Sequence, residues 1–97
     1  MSVSERKRTA IRIHPDDNVV CLLRAHDAGE RPAIEGVETP TLTDSIPAGH
    51  KVALAAVEPG GLVLKYGYPI GRAKLAIAPG DHVHLHNLAG LSEGSKP

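Results

Sequence analysis

Four of the six histidines lie between Ile46 and Asn87, with both tyrosines and three of the five lysines. His82, His84 and His86 recur at period two. On an extended strand their three rings leave one face, and Val83 and Leu85 take the other. Same-face Cα atoms lie about 7 Å apart. Two such imidazoles suit convergence on one divalent ion, with a carboxylate or water completing the shell. The same spacing also describes a polar strand face whose imidazoles hydrogen-bond to one another. Gly49-His50-Lys51 sets an imidazole and an ammonium at a turn tip, which is the chemistry of an anion contact or of a solvated loop. Lys65-Tyr66-Gly67 offers a cation beside a phenol and a flexible glycine. Tyr66 and Tyr68 share one strand face and Lys65 takes the other, either as binding groups or as a core lid with a snorkelling lysine. His14 precedes Pro15 at the mouth of a turn.

These residues need a scaffold, and the chain supplies one of short strands. Ala10 to His14 alternates, putting Ile11 and Ile13 on one face and Arg12 and His14 on the other. Pro15-Asp16-Asp17-Asn18 is turn chemistry. Val19 to Leu23 is a continuous β-favouring run, as a central strand requires. Residues 26–31 read as a turn, and residues 32–45 as a hairpin-like excursion punctuated by Pro32, Gly36 and Pro40. From Ile46 a unit repeats: aliphatic, two residues, Gly, two residues, Val. It occurs at 46–52, 57–63 and 77–83. Pro59-Gly60 and Pro79-Gly80 fit the centre of a type II turn, where glycine takes a positive φ cheaply. Ala48-Gly49 does the same less rigidly. Turns at this frequency mean many short strands and little or no helix. The Lys51–Val57 stretch is too short to nucleate a helix alone and reads as mostly strand. Residues 1–9 and 89–97 read as flexible tails around a domain at 10–88.

Ninety-seven residues make one domain. Phe and Trp are absent, so the core is built from Val, Ile, Leu and Ala. Such a core lacks the side chains that bury most area, and an interface with another chain would add to it. Eleven basic residues balance eleven acidic ones. That argues against a nucleic-acid module, which carries a basic surplus. The one basic cluster, Arg6-Lys7-Arg8, reads as part of a solvated tail. Cys21 is the single cysteine, which excludes an internal disulfide, and its apolar neighbours mark it as a small hydrophobe. No apolar run approaches the roughly 20 residues of a membrane span. The N-terminus carries no apolar signal region. The expectation is a cytoplasmic protein with no membrane partner. Phosphate-cradling glycine loops, a Gly-x-Ser-x-Gly elbow and a His-Glu-x-x-His helix are all missing. A self-contained enzyme is therefore not expected.

Four ordered motifs carry a family resemblance: Ile13-His14-x-x-Asp17-Asn18-Val19, Ile46-Pro-Ala-Gly-His-Lys-Val-Ala-Leu54, Lys65-Tyr-Gly-Tyr-Pro-Ile-Gly-Arg-Ala73 and Val83-His-Leu-His-Asn87. Together, over about residues 10–88, they resemble the N-terminal SAF domain of altronate dehydratase-type hydro-lyases. The resemblance implies an all-β β-clip fold of short, bent strands. It implies a small subunit of a sugar-acid dehydratase, active only with a large catalytic subunit. The product would be a 2-keto-3-deoxy acid. The small subunit of sulfolactate sulfo-lyase is similar, and a non-catalytic anion- or sugar-binding lid is the third reading. A divalent ion, Fe2+ or Mn2+, shared with the large subunit, is also implied. Carried over motif by motif, the catalytic positions are His50, Lys51, Lys65 and Tyr66. The substrate-binding positions are His14, Asp17, Asn18, Gly49, Gly67 and Asn87, and the metal positions are His84 and His86. His82 falls where the family varies and is left out.

Overall fold

A computed structural model describes residues 8–90 of the chain. Strands β1 (Ala10–Ile11), β2 (Val19–Leu22), β3 (Lys51–Ala53) and β6 (His82–Val83) form one sheet in the order β1-β2-β3-β6. Strands β4 (Leu62–Lys65), β5 (Tyr68–Ala73) and β7 (Leu88–Gly90) form a second, in the order β4-β5-β7. All pairings are antiparallel. Among the described residues there is no helix. This is the all-β architecture expected of a SAF domain.

The apolar run on β2 is continuous because both of its faces are covered. Val19 packs in one core with Ala53, Val63 and Val83. Val20 and Leu22 pack in a second, with Leu42, Ile46 and Val52. Alternation along the strand sends neighbours to opposite faces, so only an unbroken apolar stretch suits this place.

Tight turns do most of the folding. Asp27–Glu30, Pro47–His50, Glu58–Gly61 and Ala78–Asp81 each close when the fourth residue's N–H donates to the first carbonyl, at 3.1, 3.3, 2.7 and 3.0 Å. In the third place Gly29, Gly49, Gly60 and Gly80 take φ of 91°, 85°, 85° and 91°, the left-handed position of a type II turn. Three of these turns were legible as the repeated unit. The fourth was not, because His26 stands where the others have an aliphatic residue. The structure makes it equivalent. The His26–Ile46 bridge recurs as Val57–Ile77. The Gly29 N–H to Leu42 carbonyl bond recurs as Gly60 to Ala73, a constant offset of 31 residues.

Other expectations are corrected. β1 is only two residues long, so the alternation stops at Ile11, and Ile13 is 46% exposed. Arg12 turns back instead and donates to the carbonyls of Pro15 and Asp17. The excursion at 32–45 contains one tight turn, with Ile34 bridged to Val37 and Gly36 at φ 77°. Thr9 was assigned to a tail, yet its N–H donates to Ala33 O at 3.0 Å. Likewise residues 89 and 90 belong to β7, which pairs with β5. The rest of the two expected tails, 1–7 and 91–97, lies outside the described residues.

Candidate functional site

The histidine site begins with an interrupted strand. β6 ends at Val83, and residues 84–87 form a turn. The expected five-residue strand with three rings on one face is therefore not formed. Asn87 is the reason. Its buried side chain accepts the His84 N–H at 2.9 Å and donates to the His82 carbonyl at 2.9 Å. The Asn87 and Leu88 N–H groups donate to His84 O. Lys74 adds a bond from its ammonium to the Leu85 carbonyl, at 2.9 Å. Leu85 consequently faces solvent, 74% exposed, rather than backing the histidines from the core side.

The turn gathers imidazoles that no strand face would gather. The Pro47–His50 turn presents His50 to β6, since β3 pairs with β6 through Lys51–Val83 and Val52–His82. His50 Nδ1 and His82 Nε2 are hydrogen-bonded at 2.8 Å. The rings of His50 and His84 stack at 4.4 Å, and those of His82 and His84 at 5.3 Å. His86 reaches His82 at 5.5 Å between ring centroids. One nitrogen from each of His50, His82 and His84 falls in a set whose members all lie within 4.8 Å of one another. So His82, set aside on the family pattern, sits inside the cluster, and the exposed His86 flanks it. The period-two spacing did group all three; only the motif comparison removed His82. Burial holds His82 below the ordinary imidazole value, and the neighbouring charges of His50, His84 and His86 add to this, against a smaller opposing pull from Asp44. His84 is held down in the same way by desolvation and then by His50, Lys51 and His86.

Lys51 lies directly opposite Cys21 in the β2–β3 register and beside Val83 of β6. Its side chain therefore leaves the face opposite to that of Val52 and His82. It is half-buried, and this desolvation lowers its pKa; the nearby charge of Lys65 lowers it further. Among the described residues neither lysine has a carboxylate partner. Two ammonium groups that repel one another, without an acid between them, make a place for an anion. The β3–β6 register sets Lys51 opposite Val83, which lies between His82 and His84 in the chain, and the Lys51 charge helps to hold His84 down.

Lys65 stands at the tip of the β4–β5 hairpin. Its register partner is Tyr68, which leaves Tyr66 and Gly67 as a two-residue loop. Both take positive φ, 60° and 77°, as a type I′ turn demands. The expected strand face shared by Tyr66 and Tyr68 is thus replaced by a turn. Lys65 Nζ lies 5.0 Å from the Tyr66 ring centroid. Asp17 pins this loop from 50 residues away: its carboxylate accepts the Tyr66 N–H at 3.0 Å, the Gly67 N–H at 2.8 Å and the His14 N–H at 3.0 Å. Burial would raise this carboxyl, but the three N–H groups and the nearby His14 outweigh it and hold its pKa below the usual value. His14 packs against Gly67, where any Cβ would strike its ring. Asn18 bonds the β4 backbone through Leu62 O and Leu64 N–H, at 3.1 and 2.7 Å.

The positions taken for substrate binding therefore divide. Asp17, Asn18 and Asn87 spend their side-chain groups on backbone, and so position the loops that carry Lys65, Tyr66 and His84. Gly49 and Gly67 are turn formers with φ of 85° and 77°. His14 supports the hairpin tip. His50, Lys51, Lys65, Tyr66, His84 and His86 keep groups for chemistry.

Residues 8–91 match the family model described as the altronate/galactarate dehydratase SAF domain. The chain belongs to that SAF domain family. It is 41% identical over 80 residues to the altronate dehydratase of Bacillus subtilis, covering 82% of this chain and 16% of that protein. Against the altronate dehydratase of Escherichia coli it is 43% identical over 77 residues, 79% of this chain and 15% of the relative. It is also 44% identical over 45 residues to the (2R)-sulfolactate sulfo-lyase subunit alpha of Chromohalobacter salexigens, 46% of this chain and 48% of that one. The SAF chain thus spans about a sixth of the two dehydratases, and its match covers about half of the lyase subunit. No helix among the described residues is long and apolar enough to cross a membrane.

Proposed function

We propose that this SAF domain is the small part of a sugar-acid dehydratase and contributes half of the active site, the other half coming from a large catalytic subunit. The observation that carries this reading is the β3–β6 register, which sets Lys51, without a carboxylate partner among the described residues, opposite Val83 and so beside the chain that carries His82 and His84. A sugar acid has the matching ends. Its carboxylate suits Lys51 and Lys65, and its β-hydroxyl then lies toward the histidines. Fixed cations on the carboxylate stabilise charge that grows as a base supplied by the large subunit takes the α-proton. The exposed His86 imidazole, which flanks the cluster, donates the proton that lets the hydroxyl leave as water. The enol left behind tautomerises to the 2-keto-3-deoxy acid. A divalent ion bound by the imidazoles would supply Lewis-acid activation of the departing hydroxyl. Support for two parts comes from the dehydratases, whose matching segment is about a sixth of their length.

Turnover of altronate tests the reading. The chain alone, with Fe2+ or Mn2+, is expected to form no 2-keto acid. Mixed with a Bacillus subtilis altronate dehydratase lacking its own SAF segment, it is expected to restore activity. Robust turnover by the isolated chain would overturn the half-site. A sulfo-lyase subunit is the second reading, favoured by the 44% identity over 45 residues to the relative named subunit alpha. Sulfite release from sulfolactate, in place of altronate dehydration, would select it.

A further inference from the structure

Three features outside the lysine pair offer chemistry: buried His26, Cys21 and the imidazole cluster. His26 has both ring nitrogens occupied, Nδ1 by the Arg24 carbonyl and Nε2 by the Thr9 hydroxyl, each at 2.9 Å, and it has none left for a ligand. Cys21 makes only weak contacts, to the Leu22 and Gly49 carbonyls at 3.9 and 3.6 Å. The cluster goes further.

We propose that His50, His82 and His84 form a three-imidazole site for a borderline divalent transition metal, held by this chain alone and open on its remaining coordination positions. A shell with metal–nitrogen bonds of about 2.1 Å sets adjacent donors about 3 to 3.5 Å apart. The nitrogens here already lie within 4.8 Å of one another, and the His50–His82 pair is at 2.8 Å. Small ring rotations bring them to that spacing, with the ion replacing the proton between His50 and His82. The backbone needs no change, because the histidine turn is pinned by Asn87 and the His50 turn by the Pro47 carbonyl. Such outer support is what orients ligands.

The donor set dictates the ion. Asp81 borders the site in sequence, but its oxygens are taken: one accepts the Ala78 N–H at 2.8 Å, the other the Thr43 hydroxyl at 3.0 Å. Three neutral nitrogens without a carboxylate favour Zn2+, Co2+ or Ni2+ over Mn2+, and give Mg2+ or Ca2+ nothing they prefer. Three protein ligands also mark a site that takes water or substrate, whereas closed structural sites have four. The family resemblance pointed to His84 and His86. The geometry points instead to His82 with His84, joined by His50.

The full-length chain titrated with Co2+ reports directly. The expected result is one ion per chain with visible d–d bands, displaced by Zn2+ and unaffected by Mg2+. His82→Gln and His84→Gln should each weaken Co2+ binding at least about tenfold, as even outer-partner changes do. His14→Gln and His86→Gln should leave it within about threefold. Circular dichroism and thermal melting check that each variant folds. X-ray absorption of the wild-type Co2+ form counts imidazole ligands independently of any variant, with three expected. Absence of a one-to-one complex, a shell of one or two imidazoles, or equal loss in His86→Gln and His82→Gln would overturn the site. Ion binding at this site is tested separately from the dehydratase reading. Co2+ binding by a chain that fails to restore altronate turnover would uphold the site and remove that reading. Restored turnover by a chain that binds no Co2+ would do the reverse.

Discussion

Asp17 shows how a residue that looks like a ligand group can be structural. It is 1% exposed, and its carboxylate holds three backbone N–H groups. Asp17→Ala strands those donors and is expected to cost about 1–3 kcal/mol or more, measured by chemical denaturation. The pH dependence follows from the lowered pKa. A carboxyl lower in the folded than in the unfolded state contributes stability above its ordinary value of 3.8. That contribution is lost as pH falls through the lowered folded value. The stability gap between wild type and Asp17→Asn should therefore be widest near neutrality and narrow steadily below about pH 4. Tyr66 is the converse case. A tyrosine at φ 60° is strained, and asparagine tolerates that region better. Tyr66→Asn is expected to raise stability by about 1 kcal/mol. Lower stability in the same denaturation would show that the ring's contact with Lys65 outweighs the strain.

At the scale of elements, the turns are equivalent in conformation but not in surroundings. Gly49 and Gly80 both take positive φ, and a Cβ at Gly49 meets nothing within 4 Å. A Cβ at Gly80 would strike the Thr41 carbonyl, which is backbone and cannot swing aside. Gly49→Ala should thus cost about 1 kcal/mol from backbone strain alone. Gly80→Ala should cost clearly more, on the order of 2–3 kcal/mol. Equal melting of the two variants would disprove the close approach at Thr41. The histidine turn depends on one side chain in the same way. Asn87→Ala removes both bonds that close it and should lower stability by about 1–2 kcal/mol. Averaged rather than distinct imidazole signals for His82 and His84 in NMR would accompany it.

For the whole molecule, the boundary expected at residue 88 cuts through a strand. β7 covers one edge of β5, and Leu88 packs on the first core. A chain ended after Asn87 should lose about 1 kcal/mol for the partly buried Leu88, together with the β5–β7 bonds. Its urea midpoint should fall, and a midpoint equal to that of the full chain would show β7 to be dispensable. The two small cores leave little margin in a chain of this size, so the loss should be plain. The site belongs to the same scale. His50 comes from a turn before β3 and His82 from β6, 32 residues later. Lys51 comes from β3 and Lys65 from β4, in different sheets.

Much was settled by residue type and short spacing. Pro59-Gly60, Pro79-Gly80 and Ala48-Gly49 favour type II turns locally, because glycine takes a positive φ cheaply. Those turns, with the short aliphatic runs between them, determined an all-β domain without reference to any distant contact. The His, Lys and Tyr types, in four ordered motifs, determined the family. Their grouping was decided by tertiary structure. Period two cannot say that the strand stops at Val83, since Asn87 ends it through side-chain bonds that an alternating pattern does not record. Nor does it record that Asp17 reaches Gly67 across 50 residues. Register between strands fixed which imidazoles meet, and register is set by how two cores pack around β2. That packing is a property of the whole chain, which is why His50 joined His82 and His84 only once β3 and β6 were paired.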